Sequence, residues 1–199
     1  MKTIPQGFEA PADERLPMLD MAEMTDAQRE AAQGMIDGPR KAVIGPFIPL
    51  LRSPTLMARV GAVGETLRFG SVLPREVSEW VIAIVARHTG NQFEWAMHAP
   101  LAVEAGVAAA SIDALAAGQR PAALSAEAAL AYDYTHAIIA RHGVDDAMYT
   151  EACRQWGEQG VVELTAMIGY FMTVCWVMNV ARTPAPAVDA VAPLMPLGG

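Results

Sequence analysis

The sequence predicts an all-α domain of about seven helices over residues 25–182, flanked by an N-terminal arm, 1–24, and a Pro/Ala-rich C-terminal tail, 183–199. Three observations predict it. Apolar residues recur at helical spacing, as in Val77, Val81, Ile84 and Val85. Ser, Thr, Asp or Asn before a periodic run and Gly after it bracket segments of helical length. No stretch alternates apolar and polar residues as a half-buried strand would, and no repeat of solenoid length is visible.

Prolines at positions 5, 11 and 17 make residues 1–24 an extended arm able to lie on a neighbouring surface. Thr25, with Gln28 three residues later, is a capping box that opens a helix to about Ile36, and Gly38-Pro39 ends it. In the apolar run VIGPFIPLL, residues 43–51, Pro46 and Pro49 exclude a regular helix or a central strand. The run reads as a buried connector forming one wall of a pocket. Ser53-Pro54 supplies N-cap and N1 for a helix to Phe69, stopped by Gly70. Pro74 at N1, with Glu76 in the first turn, opens the next, to His88. Asn91 caps its successor, which runs to Ala105 with Gly106 at C′. Ser111 caps a short helix ending at Gly118, and Pro121 keeps the chain extended after it. Ser125 to Arg141 is a long helix closed by His142-Gly143. Asp145 or Asp146 opens a helix to about Trp156, and Val161 to Val180, apolar nearly all round, predicts a central helix with Met167, Met172 and Met178 filling gaps in the core.

A chain of 199 residues is long enough to bury a full core. Hydrophobic residues make up 53% of it and charged ones 18%, which predicts a homo-oligomer that hides part of the apolar surface. The formal charge of -8, with only 14 scattered Lys and Arg, argues against nucleic acid and for a small-molecule ligand. Cys153 and Cys175 form neither a CxxC nor a zinc spacing, as expected of a cytoplasmic protein. No basic, then apolar, N-terminal signal pattern is present. The most apolar window, Ala166 to Val180, is shorter than a bilayer requires, so no membrane partner is expected.

Chemistry concentrates in residues 74–106, where Glu79, His88, Asn91, Glu94, Trp95 and His98 lie in an Ala- and Val-rich background. Asn91, Glu94 and His98 share one helix face at i, i+3 and i+7. A carboxylate four residues from an imidazole raises its pKa and fixes its orientation. If the two helices pack antiparallel, Glu79 approaches the same face. The ordinary alternatives are a solvated Glu-His pair, a surface salt bridge between Glu79 and Arg75, a dipole-capping His88, a core Trp95 and an Asn91 that only caps. A metal is not expected, because carboxylate-bridged bundles repeat Glu-x-x-His at i, i+3 and this pair is i, i+4 and unrepeated. Phosphate loops and a nucleophile elbow are absent. Tyr132, Asp133 and His136 form a smaller polar group that either lines the same pocket or faces solvent.

The stretch from Glu79 to His98, with FEWAMHAPLAVEAGV, resembles the carboxymuconolactone decarboxylase family, which is related to the alkyl hydroperoxidase D-like proteins. GPFIPLLRSP before it and VELTAMIGYFMTVCWVMN after it extend the resemblance over about residues 15–182. In the peroxidase branch a CxxC lies between the glutamate and the histidine. Here Glu79 and His98 keep the matching separation of 19, but Asn91 and Glu94 occupy the cysteine positions, so dithiol peroxidase chemistry is not expected. The decarboxylase branch is similar in its Glu-Trp-x-x-His motif, here Glu94 to His98.

That resemblance implies a lyase acting without cofactor, as a trimer or hexamer, on a carboxylated unsaturated lactone. By it, Glu79, Glu94 and His98 are the catalytic residues and His88, Asn91 and Trp95 contact substrate. His98, protonated and held by Glu94, would stabilise the dienolate left by carbon dioxide; Glu79, its pKa raised by burial, would donate or relay the proton. Arg52, Arg59, Arg68, Arg75 and Arg87 are candidates for a substrate carboxylate. His98→Ala is expected to abolish turnover with little loss of stability. An isomerase or hydratase using the same acid-base site, or a ligand-binding oligomer without turnover, are the alternative readings.

Overall fold

A computed structural model describes residues 13–186 and 188–197, together with the backbone of residues 3–4. Eight helices carry the described residues: α1 Asp26–Asp37, α2 Phe47–Leu50, α3 Pro54–Phe69, α4 Arg75–Thr89, α5 Gln92–Ala105, α6 Ala109–Ala116, α7 Ala126–Arg141 and α8 Asp146–Ala181. Among the described residues the chain is all-α apart from a two-residue antiparallel pair, β1 Thr3–Ile4 with β2 Ala185–Pro186. That pair ties part of the N-terminal arm to the tail; the prolines at 5 and 11 lie outside the described residues.

Local chemistry explains most boundaries. The capping box of α1 forms, with Thr25 accepting from the Gln28 backbone and Gln28 returning the bond. Asn91, Ser125 and Asp145 accept from the third residue of α5, α7 and α8. Gly90 ends α4 at φ 62°, where a side chain is strained. Four readings are corrected. The 43–51 connector holds one helical turn, α2, because Pro46 takes the N-cap and a proline inside the first turn lacks only an N–H that has no helical acceptor there. Pro74 is the N-cap of α4, not N1. Ser111 lies inside α6 and its hydroxyl donates to the Ala123 carbonyl, so Ala108 takes the cap. His142 itself, not Gly143, adopts the left-handed cap of α7 at φ 63°.

The central element is α4, not α8. It packs against α5, α7 and α8, and from Glu79 through Arg87 every residue is buried. Trp80, fully buried, donates from Nε1 to the Ala128 carbonyl of α7 and stacks on Tyr132. A second apolar cluster, Met24, Met35, Phe47, Leu50, Leu51 and Met57, joins α1, α2 and α3.

The 36 residues of α8 comprise two helices meeting at Gly157, where φ 69° and ψ 173° leave the helical region. Among the described residues this is the one helix long and apolar enough to cross a membrane by length and composition, which corrects the shorter estimate from the sequence. Its packing is that of a core helix on one side: Leu164, Met167, Ile168, Phe171, Val174, Cys175 and Met178 are buried. The opposite side, Val162, Ala166, Gly169, Thr173, Trp176 and Val180, is exposed. Composition all round the helix could not separate these sides. The tail closes over α5: Gln92 exchanges two hydrogen bonds with the Leu194 backbone, at 2.8 and 2.9 Å, and Leu194 is buried.

Candidate active site

Successive helices α4 and α5, reversed at Gly90, bring Glu79 onto His98, as the antiparallel expectation required. His98 Nδ1 lies 2.6 Å from Glu79 Oε2 and Nε2 lies 3.2 Å from Glu94 Oε2. All three side chains are buried. Each ring nitrogen therefore faces a carboxylate oxygen. Burial alone would push the imidazole pKa down, but hydrogen bonds and charge from Glu79 and Glu94 outweigh it and raise the value, which favours the imidazolium form. For Glu79, burial pushes upward and is outweighed by the hydrogen bond and charge of His98, helped by Arg68 and Arg75, so its carboxyl sits below the usual range. This corrects the expectation of a raised Glu79 pKa: the partner wins over desolvation.

A cavity of about 230 Å³ opens on one side of this trio. Glu94 and His98 line it, with Phe93 and Met97 of α5, Phe47 of α2, Arg68 and Phe69 of α3, Arg40 and Pro46 of the preceding loop, and Tyr170, Phe171 and Val174 of α8. Glu79 stands behind the imidazole, away from the cavity wall. Phe171 meets the His98 ring edge-on at 5.6 Å. The walls are aromatic and the polar groups converge at one face, the usual form of a small-molecule site. The connector expected to form a pocket wall does so through Pro46 and Phe47.

His88, Asn91 and Trp95, expected to contact substrate, are outside the lining of this cavity. Asn91 is fully buried; its Oδ1 accepts from Glu94 N at 2.8 Å, and its Nδ2 donates to Cys175 O and Asn179 Oδ1 at 3.1 and 2.9 Å. It locks the start of α5 to α8 and so sets the position of Glu94. Trp95 is core, its Nε1 donating to the Ala192 carbonyl of the tail. His88 is exposed and lines a different cavity of about 240 Å³ with Arg87, Tyr132 and His136. Burial and the neighbouring His136 push its pKa down. The Tyr132 and His136 rings stack at 4.0 Å there, so this pair belongs neither to the first pocket nor to open solvent.

Among the candidate arginines only Arg68 lines the first cavity. Arg52 donates to the Leu16 and Ile48 carbonyls, Arg75 pairs with Glu104 at the surface, Arg59 is exposed and Arg87 lines the second cavity. Arg40 and Tyr170 were missed. Both sit in segments with no motif, 170 − 40 = 130 residues apart in sequence, and only the folded cavity brings them together. Two carboxylate oxygens already occupy both nitrogens of His98, so the trio offers no imidazole lone pair to a metal. The thiols of Cys153 and Cys175 are unpaired, and burial, with the charge of Glu94, raises the Cys175 pKa well above its ordinary value.

Fold and site define a helical domain in which a glutamate on one helix and a Glu-x-x-x-His pair on the next build a buried carboxylate–imidazole–carboxylate trio beside a largely apolar pocket. Residues 54–137 match the carboxymuconolactone decarboxylase family. The chain also superposes on the crystal structure titled alkylhydroperoxidase AhpD core, an uncharacterized peroxidase-related protein from Ralstonia eutropha JMP134, with a TM-score of 0.70. That match covers 89% of this chain and 94% of the other at 17% identity, a likeness of fold. No curated protein matches the chain. The chain thus shares the fold of that AhpD-core protein and, over residues 54–137, is similar to the carboxymuconolactone decarboxylase family, with no CxxC in its sequence.

Proposed function

We propose that this protein is a carbon-carbon lyase that decarboxylates an unsaturated lactone or related carboxylic acid without a cofactor, and is not a dithiol peroxidase. The observation that carries the reading is the buried imidazole ring of His98, with a carboxylate on each nitrogen, at the wall of an aromatic cavity that also contains arginines. When the bond to the departing carboxylate breaks, its electron pair stays on the substrate and delocalises onto the conjugated lactone carbonyl, so the substrate is its own electron sink. Two tasks remain for the protein: stabilising the dienolate and returning a proton to carbon. The His98 cation, with Arg40 and Arg68, stabilises developing negative charge in a site of low dielectric. The Nε2 proton of His98 passes to Glu94, Glu94 delivers it to the carbon, and solvent replaces it after product leaves. Glu79 keeps the Nδ1 proton and orients the ring.

The ligand is thus a small-molecule carboxylate or lactone, with no nucleic-acid or membrane partner. A homo-oligomer, trimeric or hexameric in this reading, is supported by the exposed apolar stripe of α8. Free thiols agree with a cytoplasmic location.

The test is carbon dioxide release from 4-carboxymuconolactone by metal-free protein, with Glu94→Gln alongside. The amide cannot carry a proton, so turnover should fall by roughly 10²–10⁴, the range of general acid-base contributions. Absence of gas release with consumption of a related lactone or enol would move the assignment to an isomerase or hydratase; wild-type turnover by Glu94→Gln would remove the relay.

A further inference from the structure

We propose that the second cavity, between α4 and α7, is a binding site for a small phosphate monoester held by Arg87, His88 and His136. This site is separate from the lyase chemistry: none of its residues lines the cavity beside His98.

The cavity of about 240 Å³ draws its walls from α4, the end of α6, α7 and the tail. Its polar side chains are of one kind. Arg87 and His88 enter from α4 and Tyr132 and His136 from α7, and among the described residues no carboxylate lines it. Asp133, beside Tyr132 in the chain, gives both carboxylate oxygens to Arg120, at 3.0 and 2.8 Å, and that pair stands over the Tyr132 ring with the guanidinium carbon 5.6 Å from its centroid. Burial grades the donors. Arg87 is only 6% exposed, whereas His88 and His136 are exposed. A guanidinium keeps its charge even when buried, so the floor of the cavity is a fixed cation and its rim carries two imidazoles.

His136 is held in one orientation. Its ring stacks on Tyr132 at 4.0 Å, and its Nδ1 donates to the Tyr132 carbonyl at 2.9 Å, since a carbonyl can only accept. Nε2 is therefore the nitrogen left to meet a ligand. Burial, and then repulsion from His136, hold the His88 pKa below its ordinary 6.5. An anion bound beside both rings relieves that repulsion and favours their charged forms.

A phosphate monoester suits this set better than a carboxylate does. Guanidinium pairs with two phosphate oxygens through parallel bonds, and the third is left for imidazoles arriving from two different helices; a carboxylate has no third oxygen to offer. The space is larger than a phosphate group needs, and Ile84, Leu115 and Leu197 make the rest of the wall apolar, which fits a small hydrocarbon ester group. Leu197 closes that side by seating on Gly118, where φ is 71° and a Cβ would stand 2.5 Å from the leucine Cδ2. Side chains supply all the donors, so the site needs none of the glycine loops that the sequence lacks.

The experiment is calorimetric titration of the full-length protein with phenyl phosphate, phenol and benzoate at about pH 7, where the monoester is mostly doubly charged. Phenyl phosphate should bind at least roughly tenfold more tightly than either of the others, and Arg87→Met, His88→Gln and His136→Gln should each weaken it about tenfold, the loss expected of one hydrogen bond to a charged group. Circular dichroism checks folding; because His88 and His136 are exposed, their variants decide the matter should the buried Arg87→Met fail to fold. Arg68→Met, in the cavity beside His98, and Arg141→Met, exposed at the end of α7, should bind phenyl phosphate as wild type does. Equal binding of phenol or benzoate, or unchanged affinity in folded His88→Gln and His136→Gln, overturns the site. Loss confined to Arg68→Met would place the anion beside His98 and overturn it equally.

Discussion

Removing the imidazole of His98 would leave Glu79 and Glu94 buried without the cation that both accept from. His98→Ala should therefore lower stability by about 3–5 kcal/mol in urea unfolding, as expected for one partner removed from a buried ion pair, besides abolishing turnover. That replaces the expectation of a mild structural effect, which assumed a ring facing an already polar pocket. The same trio sets a pH dependence. The pKa of His98 is raised above its ordinary 6.5, so its stabilising contribution is complete below about that value and is lost as pH rises through the higher folded pKa. Glu79, lowered from 4.5, contributes above that value and loses its contribution as pH falls through the lower folded pKa. The difference in thermal midpoint between wild type and His98→Ala should thus be greatest between these limits and shrink towards both extremes. A difference independent of pH would mean that the ring is neutral throughout.

At the scale of the element, α5 is positioned by its first turn. Asn91 caps it, bonds α8 twice, and is joined there by Asn179, whose Nδ2 donates to the Thr89 carbonyl at 2.8 Å. Loss of a cap alone costs about 0.5–2 kcal/mol. Asn91→Ala removes the cap and also the amide that donates to the Asn179 Oδ1 and Cys175 carbonyl oxygens, so its cost should reach or exceed the top of that range. Because Glu94 N is the capped group, turnover should fall with it, although Asn91 is outside the cavity lining. Unaltered turnover in a destabilised Asn91→Ala would show that α5 is held by its packing on α4 alone.

For the whole molecule, the exposed side of α8 is the largest discrepancy between composition and burial. Val162 is 67%, Trp176 55% and Val180 63% exposed on a helix whose other side is core. A stripe of this kind marks an interaction face, and its small residues at 166, 169 and 173 would allow a second helix to approach closely. Trp176→Glu should shift the species seen by sedimentation velocity to smaller mass without altering the far-ultraviolet spectrum. Unchanged mass would place any assembly surface elsewhere.

Local rules made much of this protein legible. Thr25, Ser125 and Asp145 announce helices because a side-chain oxygen three residues before an orphan amide is a short-range interaction that needs no tertiary context. The Glu79, Glu94 and His98 trio was equally readable, since i, i+4 spacing puts Glu94 beside His98 and a short reversal at Gly90 returns the chain against α4. Sequence alone thus determined the helical class and the residues of the carboxylate–imidazole trio. Tertiary structure decided what surrounds them. Only packing makes α4 the hub and exposes one side of α8, because the 81–86 run of α4 and the 166–180 half of α8 are both apolar nearly all round. It sent Asn91 and Trp95 into support of α5 and His88 into a different cavity. It also set the low pKa of Glu79, where the outcome depends on a 2.6 Å partner from another helix. Arg40, Gly64 and Tyr170 meet from three separate elements, and long-range contacts of that kind leave no spacing for a sequence pattern to record.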